Sequence, residues 1–299
     1  MPQLHTDSLN LYSMFYEVRK ELSEVTAAFW TDLEVYNKLN QAQGHIAAKS
    51  KCLKKIVTVT TVASTQEYDL KDESFGDILD ISEDGVYFYL NGTTYTPLDF
   101  KTRKDLAKES PGWQGASAGT PKAYYWDKTS KTIGLYPKPN STNAGAYLFV
   151  SGYYKPKVLL AGTASSGSTT TLVMASGSST VPYPSTTADY YNNLFVEIYG
   201  GTGAGQKAEI TDYVATTRTL TAAFTTAPDN TSVFGMIPEI DSTAHYLMPL
   251  YALWKLWSKG GSRTLLAEKF RKEYYQGLSE FIGEFIEDAD EEVIKDTYR

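Results

Sequence analysis

The sequence predicts an α+β protein: a helical bundle made from N- and C-terminal helices, a central mostly antiparallel β-sheet domain, and a β-rich insertion. Three observations predict it. Apolar residues recur at spacings of three and four near both ends of the chain, which is helical periodicity. From Ile56 the pattern changes to short β-branched and aromatic runs separated by turn residues, which is strand periodicity. From Leu159 it changes again, to a stretch rich in Ser, Thr, Gly and Ala followed by more short strands. The expected segments are N-terminal helices at 1–55, a central β domain at 56–158, the β-rich insertion at 159–237, C-terminal helices completing the bundle at 238–285, and a C-terminal arm at 286–299.

Leu11, Met14, Phe15, Val18, Leu22 and Val25 form the stripe of a first helix from Leu9 to Val25. A second helix runs from Thr31 to about Lys51. Thr31 caps it while Glu34 reaches back, and Trp30 is placed to staple against Val35. Its packed face holds Leu33, Tyr36, Leu39 and Ile46. Asn40 and Gln43 sit at the rim of that face or make hydrogen bonds to a neighbour.

Strands are expected at Ile56–Val62, Ile78–Ile81, Val86–Leu90, Thr93–Thr96, Lys122–Trp126, Thr132–Tyr136 and Ala146–Tyr154. Asn91-Gly92 is a tight-hairpin signal. Asp99–Lys108 reads as a short charged helix stopped by Pro111-Gly112-Trp113. In the insertion the strands are Thr171–Met174, Tyr190–Tyr199, Lys207–Val214, Thr219–Phe224 and Val233–Ile237.

The longest helical signal is Ser242–Phe285, with Leu250, Trp254, Trp257, Phe270 and Tyr274 on its apolar face. Gly260-Gly261 divides it into two helices, and Pro249 either kinks the first or marks its start. An apolar stripe needs a second surface, and the other long helical pattern is at the opposite end of the chain, so the two ends are expected to meet.

Composition excludes several classes. The net charge of −7 over 299 residues argues against a protein that wraps nucleic acid by neutralising phosphates. The 23 tyrosines suit β-sheet and interfaces, where each ring adds apolar area with a polar end. The single Cys52 excludes an intrachain disulfide and a cysteine metal cluster. No run reaches the ~18 apolar residues of a membrane span, and no signal-peptide pattern opens the chain, so synthesis in a reducing cytoplasm is expected.

No catalytic or metal motif emerges, and no cofactor is expected. In Gly200–Lys207, Gln206 separates Gly205 from Lys207 and Ala208 lacks a hydroxyl, so this is a glycine-rich turn and not a phosphate loop. His5, His45 and His245 lack metal-ligand spacing, and His245 is expected to be packed or hydrogen-bonded. Glu83-Asp84 beside Gly85 reads as a turn. Lys49, Lys51, Lys54 and Lys55 form one basic patch, and Lys101, Arg103, Lys104 and Lys108 another, without a recognition-helix signature.

Several pieces, in order, resemble a bacteriophage head-to-tail adaptor, also called a connector or head-completion protein. They are Phe29-Trp30-Thr31-Asp32 leading to Leu39–Gln43 and Ile46-Ala47; Gly119-Thr120-Pro121 before Tyr124-Tyr125-Trp126; Ile133–Pro139; Val150–Pro156; Ile237-Pro238-Glu239; and the helices through Tyr251–Leu253 and Phe270–Leu278. Ala188–Pro228 is similar to a small β module inserted in phage structural proteins, marked by Tyr190-Tyr191-Asn192 and Gly201–Gln206.

The resemblance implies rings of identical subunits, commonly twelve, beneath the portal protein. The helical bundle would wall a channel through which packaged DNA passes without sequence-specific binding. The implied wall or core residues are Trp30, Leu33, Tyr36, Leu39, Leu250, Trp254, Trp257, Phe270 and Tyr274. The arm would dock on the portal through Val293, Ile294 and Tyr298, with Asp290 and Glu291 meeting basic groups. The opposite surface would receive a downstream tail or nozzle protein. The place of action is then the neck of the virion, with no membrane partner and no enzymatic activity. The alternative is a tail-associated carbohydrate- or receptor-binding structural protein that uses the β insertion.

Overall fold

A computed structural model of the chain describes residues 9–24, 26–27, 29–71, 78–90, 94–176, 181–259 and 264–297; for 90, 264 and 285–297 it describes the backbone alone. The chain forms two compact units, residues 51–155 and residues 1–50 together with 156–299.

Helix α1 (Leu11–Glu21) starts at Asn10, whose side chain accepts from the Ser13 N–H at 2.9 Å. The stripe Leu11, Met14, Val18 and Leu22 is buried. The helix stops short of Val25 because Ser23 takes a left-handed conformation, φ 57°. Helix α2 (Asp32–Ser50) opens with the expected capping box: the Glu34 N–H donates to Thr31 Oγ1 at 3.2 Å, and the Thr31 N–H donates to Glu34 Oε2 at 3.0 Å.

In the 51–155 unit, β1 (Lys54–Thr60), β2 (Glu67–Asp69), β3 (Ile78–Leu90), β4 (Thr94–Phe100), β5 (Ala123–Asp127), β6 (Thr132–Tyr136) and β7 (Tyr147–Tyr154) form a seven-stranded sheet. Its order is β1-β7-β3-β4-β5-β6-β2, antiparallel except between β4 and β5. The strands expected separately at Ile78–Ile81 and Val86–Leu90 are one strand. Its register against β7 jumps between Ile81 and Val86, and Gly85 at φ 73° lets the backbone bulge there. The Asn91-Gly92 turn lies outside the described residues; Leu90 pairs with Thr94 across it.

Helix α3 (Arg103–Glu109) begins later than expected because Asp99 and Phe100 complete β4. Thr102 and Asp105 cap it reciprocally. Val57, Val86, Phe88, Leu98, Leu148 and Val150 belong to the core of the unit. Tyr125 rests directly on Gly134, where a Cβ would stand 1.9 Å from the ring.

In the other unit, β8 (Ala161–Gly167), β9 (Thr171–Met174), β10 (Phe195–Gly200), β11 (Lys207–Glu209), β12 (Asp212–Val214), β13 (Thr219–Thr221) and β14 (Val233–Ile237) form a second seven-stranded sheet, in the order β11-β10-β14-β8-β9-β13-β12. The low-complexity stretch is therefore folded where it is described, as the β8–β9 hairpin. The strand expected at Tyr190 starts only at Phe195. Asp189 and Asn193 take left-handed φ of 61° and 66°, which turns the chain. Tyr191 is thereby buried, 4.7 Å from the Tyr213 ring. The glycine-rich stretch joins β10 to β11. Gly201, Gly203 and Gly205 have positive φ, and the Gln206 amide donates to Gly203 O and Thr226 O at 2.9 and 3.0 Å.

Helices α4 (Leu247–Lys259) and α5 (Thr264–Thr297) follow. Pro249 lies in the first turn of α4, where its missing N–H costs nothing, so it marks a start and not a kink. Gly260-Gly261 lies outside the described residues, between the two helices. Helix α5 continues past Phe285, so the backbone of the expected arm is helical as far as Thr297.

The two ends of the chain meet. Helix α4 packs on α1, α2 and α5, and α1 lies on β14 and β8. A Cβ at Gly235 of β14 would stand 2.5 Å from Asn10 Oδ1. Helices α1, α2, α4 and α5 and residues 159–237 thus share one unit.

Candidate assembly surfaces

The predicted bundle residues occupy two settings. Trp30, Tyr36, Leu39, Trp257, Phe270 and Tyr274 are buried. The Trp30 ring meets Trp257 edge-on at 5.0 Å, and its Nε1–H donates to Leu256 O at 3.1 Å. Tyr36 stacks on Phe15 at 4.4 Å. Leu33, Leu250 and Trp254 are half-buried, at the border of the helical layer. Of the predicted arm residues, Asp290, Glu291, Val293 and Ile294 fall on the last turns of α5, where only the backbone is described, and Tyr298 lies outside the described residues.

Asn40 and Gln43 are not rim residues. Asn40 Oδ1 accepts from the Leu159 N–H at 2.7 Å, and its amide donates to Leu159 O at 3.1 Å. Gln43 donates to Lys157 O at 3.0 Å and accepts from the Glu239 N–H at 2.9 Å. Two amides one helical turn apart therefore hold both connections of the β-rich segment to the helices.

His245 is buried and hydrogen-bonded. Its Nδ1 accepts from the Leu9 N–H at 3.0 Å and its Nε2 faces Ile240 O at 3.1 Å. Those partners require the neutral ring with the proton on Nε2. Burial pushes its pKa down to about 4. His45 meets the Tyr274 hydroxyl at 2.6 Å, and burial lowers its pKa too.

The basic patches are partly neutralised. Lys54 pairs with Glu83 at 3.0 Å and Asp84 at 2.5 Å, Arg103 with Glu67 at 2.9 Å, and Lys101 with Glu109. Lys51 lies 5.1 Å from the Tyr153 ring centre. The Tyr153 hydroxyl, then a backbone N–H, and Lys54 after them, hold the Glu83 carboxyl down at about 2. Burial, and then Glu83, push Tyr153 up to about 12.

One surface was not anticipated. Alternate strand residues face opposite sides, so while Phe88 and Leu148 enter the core, Tyr87, Tyr89, Tyr95, Tyr147 and Phe149 share the other face. Ring centres are 4.4 Å apart for Tyr89–Tyr95 and 5.7 Å for Tyr95–Phe149. Tyr95 is 60% and Tyr147 45% exposed. Ile56, opposite Ser151 on the same face, is 63% exposed. The signal was present as Tyr-Phe-Tyr at 87–89 and Tyr-Leu-Phe at 147–149, but the register that joins the runs was not. Among the described residues no group of three or more His, Cys, Asp or Glu is placed to hold a metal ion. None of the described helices is long and apolar enough to cross a membrane.

The model of the family described as SU10 adaptor protein matches residues 10–176, and the chain belongs to that family. Its members are phage head-to-tail adaptors, structural and non-catalytic, which places this chain at the head-to-tail junction of a virion. No curated protein matches the chain.

Proposed function

We propose that the chain assembles as a ring of identical subunits, twelve by the plan the resemblance implies, between the portal and the tail. The ring extends the DNA channel and offers the attachment surface for the next tail or nozzle protein. The observation that carries this reading is the exposed aromatic face of the first sheet. Contiguous exposed apolar surface of this kind marks sites of protein association, and tyrosine supplies contact area at low entropic cost. The net charge of −7 supports a lumen that DNA passes without being held.

The portal contact is assigned to residues 286–299, through Val293, Ile294 and Tyr298, with Asp290 and Glu291 giving register more than affinity. Nine of the chain's residues from Glu284 to Glu292 include six carboxylates, which suits a basic receptor surface. Negative-stain imaging of the purified protein, alone and with portal, tests the ring: twelve-fold particles support it and an absence of closed rings in both samples overturns it. Portal pull-down with and without 287–299 tests the arm, and equal retention of the two forms removes that assignment.

A further inference from the structure

The α4–α5 hairpin carries opposite charge at its two ends. Where α4 finishes and α5 begins, Lys255 Nζ lies 3.6 Å from the Trp254 ring centre and 5.3 Å from that of Tyr251. Arg271 approaches the same Trp254 ring at 5.9 Å. Lys38 and Lys49 of α2 border this surface, close enough for their charges to act on Lys255 and His45. Arg271 has Glu268 at 3.4 Å, whereas among the described residues no carboxylate pairs with Lys38, Lys49 or Lys255. Half-buried Trp254 and exposed Tyr275, 5.6 Å apart, give the patch an aromatic floor.

At the far end of the hairpin the sign reverses. Glu280 and Glu284 are exposed on α5 and act on the exposed Tyr246. The sequence extends this acidity through Glu287 and Asp288. From Arg271 to Glu284 the helix advances about 20 Å, at ~1.5 Å per residue.

A ring closes only if every copy presents two different surfaces that fit each other. One hairpin here offers both, each with an aromatic ring to add apolar area beside the charge. We propose that the Lys38–Lys49–Lys255–Arg271 surface of one copy receives the Glu280–Glu284 face of the next copy. The inference rests on the ring reading above and names the contact that closes it. Because the charged groups stay near solvent, they set register and suppress wrong partners, while the rings supply contact area.

The test uses the full chain with portal and reads ring assembly by sedimentation velocity and negative-stain imaging. The pair Lys255→Glu with Arg271→Glu reverses two of the four cations of the basic surface; Glu280→Lys with Glu284→Lys makes both surfaces basic. Each double variant alone is expected to lose on the order of tenfold or more in association. An equimolar mixture restores assembly, because the two variants alternate. Far-ultraviolet circular dichroism of each variant separates lost association from lost folding, and the mixture rescue reads the contact independently of either variant's stability. The proposal is overturned if either variant assembles like the wild type, or if the mixture fails to recover; rings of wild type persist in both cases, leaving the ring reading intact. If the first variant instead loses retention of duplex DNA with assembly unchanged, the patch is a nucleic-acid contact and the proposal falls. Wild type that never forms rings removes the ring reading itself.

Discussion

Asn40 pairs with the backbone of Leu159 as a neighbouring strand would, accepting from its N–H at 2.7 Å and donating to its C=O at 3.1 Å. Leu159 is fully buried, so no water replaces a lost partner. Asn40→Ala is expected to cost about 1–3 kcal/mol for the orphaned groups. Asn40→Asp keeps the acceptor and loses the donor, and should fall between Ala and wild type. Urea unfolding midpoints of the three proteins check the order; an Ala variant as stable as wild type would sink the account.

Arg19 is 1% exposed and reaches Asp32, with Glu24 at 3.7 Å and the Phe15 ring at 5.5 Å. It ties the turn after α1 to the start of α2. Asp32→Asn leaves a buried cation with one weak partner and should cost about 3 kcal/mol. Arg19→Met removes the charge together with its unpaired Nε and should cost less than Asp32→Asn. Thermal melts decide it, and the reverse ranking contradicts the assignment.

The buried His245 makes the fold acid-sensitive. Its folded pKa, about 4, lies below the ordinary imidazole value of 6.5, so the unfolded chain binds the extra proton first. Stability is whole above pH 6.5, declines as pH falls from 6.5 to 4, and levels off below. The full loss is about 3 kcal/mol at ~1.4 kcal/mol per unit. His245→Asn should flatten the slope between pH 7 and pH 5 while lowering stability at pH 7. A wild-type slope retained by the variant would show that another group is responsible.

Gly134 on β6 is occupied from above by Tyr125, whose hydroxyl donates to Glu67 at 2.7 Å. Trp113 meets the same ring edge-on at 5.3 Å, so the tyrosine has no room to retreat. Gly134→Ala should destabilise residues 51–155 by about 1–3 kcal/mol through overpacking. Adding Tyr125→Phe should not rescue it, whereas Tyr125→Ala should recover part of the loss. A denaturation series over these variants tests the coupling.

Local pattern made much of the fold legible. The Thr31–Glu34 cap, strands Thr132–Tyr136, Thr171–Met174 and Val233–Ile237, and the division of the last helices are each written in a few adjacent residues. What was not legible depends on partners far along the chain. Lys54 and Arg103 look like free cations until the sheet brings Glu83, Asp84 and Glu67 beside them. The Tyr-Phe-Tyr run in β3 looks like an ordinary alternating strand until its register with β7 assembles one aromatic face. Asn40 and Gln43 were undecided between rim and contact because their partners, residues 157–159 and Glu239, belong to irregular backbone with no pattern to read. The basic and acidic ends of the α4–α5 hairpin were visible as letters, but grouping Lys38 and Lys49 with Lys255 required the packing of α2.

The contact between Leu9 and His245 spans 236 residues. During synthesis, residues 51–155 emerge as one contiguous stretch and have all their internal partners while the ribosome is still reading the second sheet. Helices α1 and α2 emerge first, and the Leu11–Leu22 stripe and Trp30 gain their full cover only after β8, β14 and α4 have followed. Closing so long a loop is the slow part of forming such a unit. The waiting stripe is apolar surface of the kind that draws chains into aggregates. An adaptor made this way ripens from the middle outward, and its helical surfaces exist only once nearly the whole chain has been released.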